Sequence, residues 1–259
     1  MKPNYKNWVP ITLVASTAAA TAVSLVCCII FAAVTTGAAR VALTAIFAAA
    51  FLLFAVFTAW SIAAHRAFSY DGTRRLSAQM IEGVAARVKI PDGGVGLDVG
   101  CGSGALTIAC AKKNPNAQMV GVDIWGAGYA FSKELCEDNA KAEGVANVRF
   151  ERGNAVRLPY ADESFDAVTS NYVYHNIKGR NTQRLIKETL RVLKKGGTFA
   201  IHDLMLPVQY GDMREFAREL KADGYERVEL IDTADGLFMS KREARRLMLK
   251  NSTLLFGVK

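Results

Sequence analysis

The chain has 259 residues, a formal net charge of +8 and a 51% hydrophobic composition, enough for one α/β domain plus an appendage. Residues 1–65 contain no Asp or Glu. Removing their Lys2, Lys6 and Arg40 from the total leaves +5 for the remainder, a surplus too small and too scattered to argue for nucleic acid.

Two uncharged apolar runs come first, residues 9–34 and 41–64, separated by a short turn that carries Arg40. Each holds roughly 25 residues, or about 36 Å as helix, against a hydrocarbon core of about 30 Å. A cleaved leader has an apolar stretch of only about 7–15 residues and no second run behind it. No polar stripe at helical spacing is evident, so a two-helix transmembrane hairpin over residues 1–65 is expected ahead of a domain at 66–259. Lys2 and Lys6 precede the first run, and Arg66, Arg74 and Arg75 follow the second. Both ends of this multi-pass membrane protein, and the domain, are therefore expected in the cytoplasm. Trp8 and Trp60 would fall at the same membrane surface. Ala15, Ala19, Ala45 and Ala49, at four-residue spacing, could bring the helices close or simply fill them.

Strand and helix patterns then alternate. A helix is expected over 75–88, a strand over 95–100, a helix over 105–113, a strand over 117–123, a helix over 129–143 and a strand over 148–152. Next come a strand at 165–171, a helix at 181–194, a strand at 198–204, a helix at 213–223, a strand at 227–231, a helix at 241–249 and a strand at 253–258. This order predicts a doubly wound, largely parallel sheet. Cys27, Cys28, Cys101, Cys110 and Cys136 show no zinc-ligand spacing, so no metal is expected and the five read as reduced thiols.

The sharpest signal is Asp98-Val99-Gly100-Cys101-Gly102-Ser103-Gly104. Here a strand must turn into a helix, and absent side chains let backbone N–H groups meet a ligand. A dinucleotide fingerprint wants Gly where Ala105 stands, although an alanine variant exists, so the glycines alone leave a nicotinamide cofactor open. Asp98 could hold a ligand ammonium or the turn itself. Asp123, ending the next strand, is placed for two ribose hydroxyls.

Four strings occur in order: DVGCGSG, VGVDI, GNAVRLPYADESFDAVTSNYVYHNI and LRVLKKGGTFAIHDL. Over residues 94–204 the chain resembles class I S-adenosylmethionine (SAM)-dependent methyltransferases, particularly those of ubiquinone and menaquinone biosynthesis and their small-molecule relatives. The resemblance implies a Rossmann-like, mostly parallel sheet with an antiparallel last strand, and SAM as cofactor with S-adenosylhomocysteine as product. It implies that Gly100 and Gly102 pass the methionine part and that Asp123 binds the ribose. Ile124 would pack on adenine, and Asn171 and Tyr172 would lie beside the sulfonium. It further assigns Asp98, Ser103, Gly104 and Ala155 to the cofactor site. Asn154 stands where the family usually has Asp, so a neutral carbonyl would accept from the adenine amino group.

Methyl transfer from an activated sulfonium can rest on positioning, with a base needed only when the acceptor must lose a proton. His175 is the candidate base or a support of its loop, and Tyr172 and Tyr174 are either an aromatic wall for the sulfonium or an apolar acceptor, or packing residues. His202 and Asp203 read as core or weaker substrate-site residues. Tyr70, Arg74 and Arg75 could cover the cofactor or face lipid headgroups. Lys241, Arg242, Arg245, Arg246 and Lys250 form a basic helical face that is either solvated or applied to anionic lipid. The expected function is methylation of a small, apolar or membrane-associated acceptor. A SAM-binding sensor or scaffold without turnover and a nicotinamide-dependent reductase are the alternatives.

Overall fold

The computed structural model describes residues 2–126, 130–179 and 181–259. It divides into one unit of Asn7–Ser77 and another in which residues 2–6 join Ala78–Lys259. The division falls later than residue 65 because residues beyond the apolar run stay with the first unit. Ser77 Oγ, for example, donates to the Phe68 carbonyl at 2.8 Å.

The first unit is an antiparallel pair of helices, α1 (Ile11–Val34) and α2 (Gly37–Phe68). Their turn is shorter than the sequence suggests, because residues 37–40 already form the first turn of α2. At about 1.5 Å per residue, α2 is about 48 Å long. Both helices are long and apolar enough to cross a membrane. Their large apolar side chains point outward: Ile29, Ile30, Leu52, Leu53 and Val56 are all exposed.

The seam between them combines small polar residues with Phe31 stacked on Phe47 nearer the turn. Thr17 Oγ1 meets Ser61 Oγ at 3.2 Å, Thr21 Oγ1 meets Thr58 Oγ1 at 3.0 Å, and the Cys28 thiol reaches the Thr44 carbonyl at 3.6 Å. A polar stripe therefore exists where none was expected; its short hydroxyls perturb the hydropathy too little to stand out. Ala15, Ala19, Ala45 and Ala49 are exposed and lie off that seam. At the open end, Asn7 Nδ2 donates to the His65 carbonyl at 2.8 Å, and the His65 ring Nδ1 lies 2.7 Å from the Val9 carbonyl.

In the second unit the glycine-flanked apolar runs become strands: β1 (Val95–Val99), β2 (Gln118–Asp123), β3 (Val148–Arg152), β4 (Phe165–Asn171), β5 (Leu193–Leu204), β6 (Arg227–Asp232) and β7 (Ser252–Val258). They form one seven-stranded sheet in the order β3-β2-β1-β4-β5-β7-β6. All neighbours are parallel except β7, which runs antiparallel to both β5 and β6. Central strands covered on both faces are mostly apolar, and β1 is so except for Asp98.

Helices α4 (Ala105–Lys113), α5 (Lys133–Ala142), α6 (Thr182–Arg191) and α8 (Met213–Ala222) cover the sheet, with α3 (Leu76–Ala85) before it and the short α7 (Pro207–Tyr210) and α9 (Lys241–Arg246) near its end. The helix expected from residue 129 starts at Lys133, where the Ser132 hydroxyl accepts from Leu135 N at 3.1 Å; Tyr129 lies outside the described residues. Strand β5 begins earlier than expected, because Leu193 pairs with Phe165 across an irregularity in the ladder. Leu185, Ile186 and Leu190 of α6, which packs on β5, and Phe216 and Leu220 of α8, which packs on β6, are buried in the main core. Each such side chain contributes about 1.5–3 kcal/mol by leaving water.

Candidate active site

Strand order reverses at β1, which lies between β2 and β4, and the carboxyl ends of such strands open a crevice for ligands. There the chain turns from β1 into α4. Gly100 and Cys101 both donate to the Val122 carbonyl, at 2.7 and 3.1 Å, pinning the turn to β2. Gly100, Gly102 and Gly104 have φ of 72°, 55° and 81°, a left-handed series that L side chains resist. A Cβ on Gly100 would sit 2.4 Å from Val173 Cγ2, so the turn and the segment after β4 approach too closely for any side chain.

Asp123, at the end of β2, holds this turn from the other side. Its Oδ2 accepts from Gly102 N at 2.9 Å and its Oδ1 from Trp125 N at 2.8 Å. The Trp125 indole Nε1 closes the ring by donating to the Gly102 carbonyl at 3.0 Å. Each Asp123 oxygen keeps a second lone pair, and two adjacent acceptors match a vicinal diol. Ile124 follows with its side chain exposed, an apolar surface for a planar ring. Asn154 Oδ1 accepts from Val156 N at 2.9 Å, which leaves one lone pair on that oxygen. Bare backbone, a carboxylate pair and an apolar shelf together fit an adenosyl group.

Asp98 takes the second of its two expected places, on the turn itself, and Ser103 is turned inward. The Asp98 carboxyl is buried and faces inward, accepting from Thr107 Oγ1 at 2.7 Å and Thr169 Oγ1 at 3.0 Å. Burial pushes it up to about 7 despite those hydrogen bonds. It ties β1 to α4 and β4 and so holds the turn. Ser103 is buried, and its carbonyl accepts from Asn139 Nδ2 at 3.0 Å. The same amide exchanges hydrogen bonds with Asn4, at 2.6 and 3.1 Å, so the chain's first residues brace the back of the turn.

Across the crevice, β5 contributes Asp203, which is fully buried. Its Oδ2 gathers Val173 N at 3.1 Å, Tyr174 N at 2.8 Å and His175 N at 3.4 Å, and its Oδ1 accepts from Leu204 N at 2.7 Å. The carboxylate thereby shapes the 3-10 turn Tyr174–Asn176. Oδ1 also lies 2.5 Å from Nδ1 of His175, whose side chain is partly exposed. A carboxylate only accepts, so Nδ1 carries the proton and Nε2 is left with a lone pair. This is the arrangement of an oriented base.

A family described as a methyltransferase domain matches residues 90–250. The chain belongs to that family. Its cofactor is S-adenosyl-L-methionine. The chain is 34% identical over 132 residues to demethylmenaquinone methyltransferase from Geobacillus stearothermophilus, covering 49% of this chain and 53% of that protein. It thus spans about half the length of the curated relatives it matches. Among solved structures, the methyltransferase domain resembles the [4+2]-cyclase SpnF, with a TM-score of 0.53, 20% identity and coverage of 72% of this chain and 82% of the other. Geranyl diphosphate C-methyltransferase from Streptomyces coelicolor A3(2) gives 0.54, 15%, 71% and 79%. At such identities the likeness is one of fold.

Other predicted residues of the methyltransferase domain separate into two groups. Tyr172, with φ 55°, turns its ring toward His202 and its hydroxyl to Ser252 Oγ at 2.5 Å, and lies edge-on to His175 at 6.0 Å. Asn171 Oδ1 holds Nδ1 of His202 at 2.8 Å. His202 is fully buried, and burial lowers it to about 4, so it is neutral here and belongs to the support under the crevice. Tyr174 is not an acceptor wall: it is fully buried in the main core, and its hydroxyl meets Thr189 Oγ1 at 2.5 Å. Ala155 packs at the edge of the same core. Trp125, Asn139 and the positioning role of Asp203 were not apparent from sequence. The only advance sign was an aromatic placed directly after VGVDI.

Proposed function

We propose that this protein methylates a small apolar acceptor at a bilayer, with His175 as general base and Asp203 as its positioning residue. The hydrogen bond between His175 and Asp203 at the crevice edge carries the reading. Bound in the crevice, S-adenosyl-L-methionine supplies a methyl group already activated on a sulfonium, so no side-chain nucleophile is needed. Asp123 binds the ribose diol, Ile124 lies on the base, and the glycine turn admits the remaining backbone contacts. His175 Nε2 takes the acceptor's proton, and Asp203, bonded to the Nδ1 side, fixes the ring's tautomer and orientation and stabilises the imidazolium that forms.

Apolar acceptors are supported by two of the similar proteins, a demethylmenaquinone methyltransferase and a geranyl diphosphate C-methyltransferase. Anchoring is supported by the outward apolar surface of α1 and α2 over a polar seam, an arrangement suited to lipid and not to water. With Lys2 and Lys6 before the hairpin and Arg66 closing it, positive charge favours both ends, and the domain, in the cytoplasm.

Two experiments test this. In thermal-shift measurements, S-adenosylhomocysteine should stabilise the detergent-purified chain and NAD or NADP should not; the reverse would restore the reductase reading. Labelled SAM should then transfer its methyl group into membrane lipid extract. Transfer only to soluble acceptors would remove the apolar substrate, and binding without any transfer would favour a sensor.

A further inference from the structure

The carboxyl edge of the sheet carries a surface that the chemistry above does not use. Strands β5 and β6 end there and β7 begins there, as the pairs Leu204 with Ser252 and Asp232 with Thr253 show. Met205 N donates to the Asn251 carbonyl at 2.9 Å, so the segments after β5 and before β7 leave this edge side by side. It is also the edge that bears the glycine turn and His175, and Gln209 Nε2 donates to the His175 carbonyl at 3.2 Å.

Both segments expose large apolar side chains. Val208 is 91% exposed and Met248 64%, and Leu206 and Leu237 are exposed as well. Among the described residues of the methyltransferase domain, the other large aliphatic side chain so exposed is Ile124 at the crevice, so four on one rim need an account. The segment at 205–211 has no charged residue. The segment at 236–250 has five basic residues against one acidic, Glu243. Lys241 is paired with Asp235 at 2.9 Å, whereas Arg242, Arg245 and Lys250 stand exposed beside Met248. Met248 itself is held at φ 60°, with its side chain out in solvent.

We infer that this rim is a membrane-docking face: Leu206, Val208, Leu237 and Met248 enter the headgroup layer of an anionic bilayer while Arg242, Arg245 and Lys250 bind its phosphates. Apolar side chains flanked by basic ones are what an anionic interface recognises, and each basic residue there raises partitioning by about fivefold. A polyanion in solution would use the charges and leave the apolar side chains unexplained. The inference deepens the proposed function, because an acceptor dissolved in lipid would reach His175 without crossing water.

Hydrogen exchange of the full chain reconstituted in lipid nanodiscs tests it. Amides of 205–211 and 236–250 should exchange at least threefold more slowly in phosphatidylglycerol discs than in phosphatidylcholine discs. The difference should vanish in the double variant Arg242→Glu/Arg245→Glu and shrink at high salt. Equal exchange in the two lipids overturns the inference, as does slowing caused equally by a single-stranded oligonucleotide added to phosphatidylcholine discs. Alkaline extraction of native membranes tests the hairpin separately. If the chain washes off, the same comparison is made with phosphatidylglycerol and phosphatidylcholine vesicles and judges the rim by itself.

Discussion

Replacing Asp203 with Asn keeps shape and volume but alters what His175 can do. The carboxylate accepts four backbone N–H groups in addition to the His175 ring. An amide has one oxygen, and Oδ2 faces three of those N–H donors, so the amide oxygen belongs there. The NH2 then sits at the Oδ1 position, against Leu204 N–H and the histidine ring. One donor is left opposed by another donor, which costs about 1–3 kcal/mol of stability. The ring can meet an NH2 only by accepting, so the proton moves from Nδ1 to Nε2 and the lone pair turns away from the crevice. Loss of a positioned base lowers turnover by about 10²- to 10⁴-fold. The chain has three histidines, so nitrogen-15 labelling of histidine alone gives a spectrum simple enough to assign by His65→Gln and His202→Gln. The Asp203→Asn variant should exchange the two ring-nitrogen signals of His175 while retaining S-adenosylhomocysteine binding. A His175 that keeps its proton on Nδ1 in this variant would refute the positioning role.

Three further outcomes are expected. Asp123→Ala should weaken S-adenosylhomocysteine binding at least 100-fold by calorimetry, since two charge-assisted hydrogen bonds to a diol are worth about 3–5 kcal/mol together; unchanged affinity would remove Asp123 from the ribose. Gly100→Ala should lose both melting temperature and cofactor binding, because its Cβ meets Val173 in a left-handed backbone; a native-like melt would show that the turn relaxes. The third outcome concerns pH. Asp98 is raised from 3.8 to about 7, so the folded chain holds the extra proton and stability falls as pH rises from about 4 to 7. His202 is lowered from 6.5 to about 4, so the unfolded chain holds the extra proton and stability rises with pH from about 4 to 6.5. The two trends nearly cancel in the native protein. Asp98→Asn should leave a rising profile and His202→Gln a falling one, each of about 1 kcal/mol per pH unit, read from melts at pH 4.5 and 6.5. A rising profile in His202→Gln would contradict the Asp98 assignment, and a falling one in Asp98→Asn the His202 assignment.

The strands and the glycine turn were legible because their signals are local: apolar runs bounded by Gly and Pro, and a string whose spacing allows one kind of bend. Asn139, Trp125 and the positioning role of Asp203, which reads as a weaker substrate-site candidate, were not, since each acts through a partner that only the folded chain brings near. Asp203 meets His175 across two strands, and Asn139 meets Asn4 from the far end of the sequence. Tyr172 and Tyr174 look alike in sequence, yet a left-handed residue followed by a 3-10 turn sends one ring beside His175 and the other into the core. Thr17, Thr21, Ser24 and Cys28 do repeat at helical spacing, and their modest polarity hid a stripe that was there to be read.

The position of β7 has a consequence for biosynthesis. It lies between β5 and β6, so β6 has no neighbour in the sheet until residues 252–258 have left the ribosome. The hydrophobic helices emerge some 180 residues earlier and can reach lipid while the catalytic fold is still open on one side. With the hairpin inserting as proposed, translation orders the two events, anchoring first and closure of the sheet second.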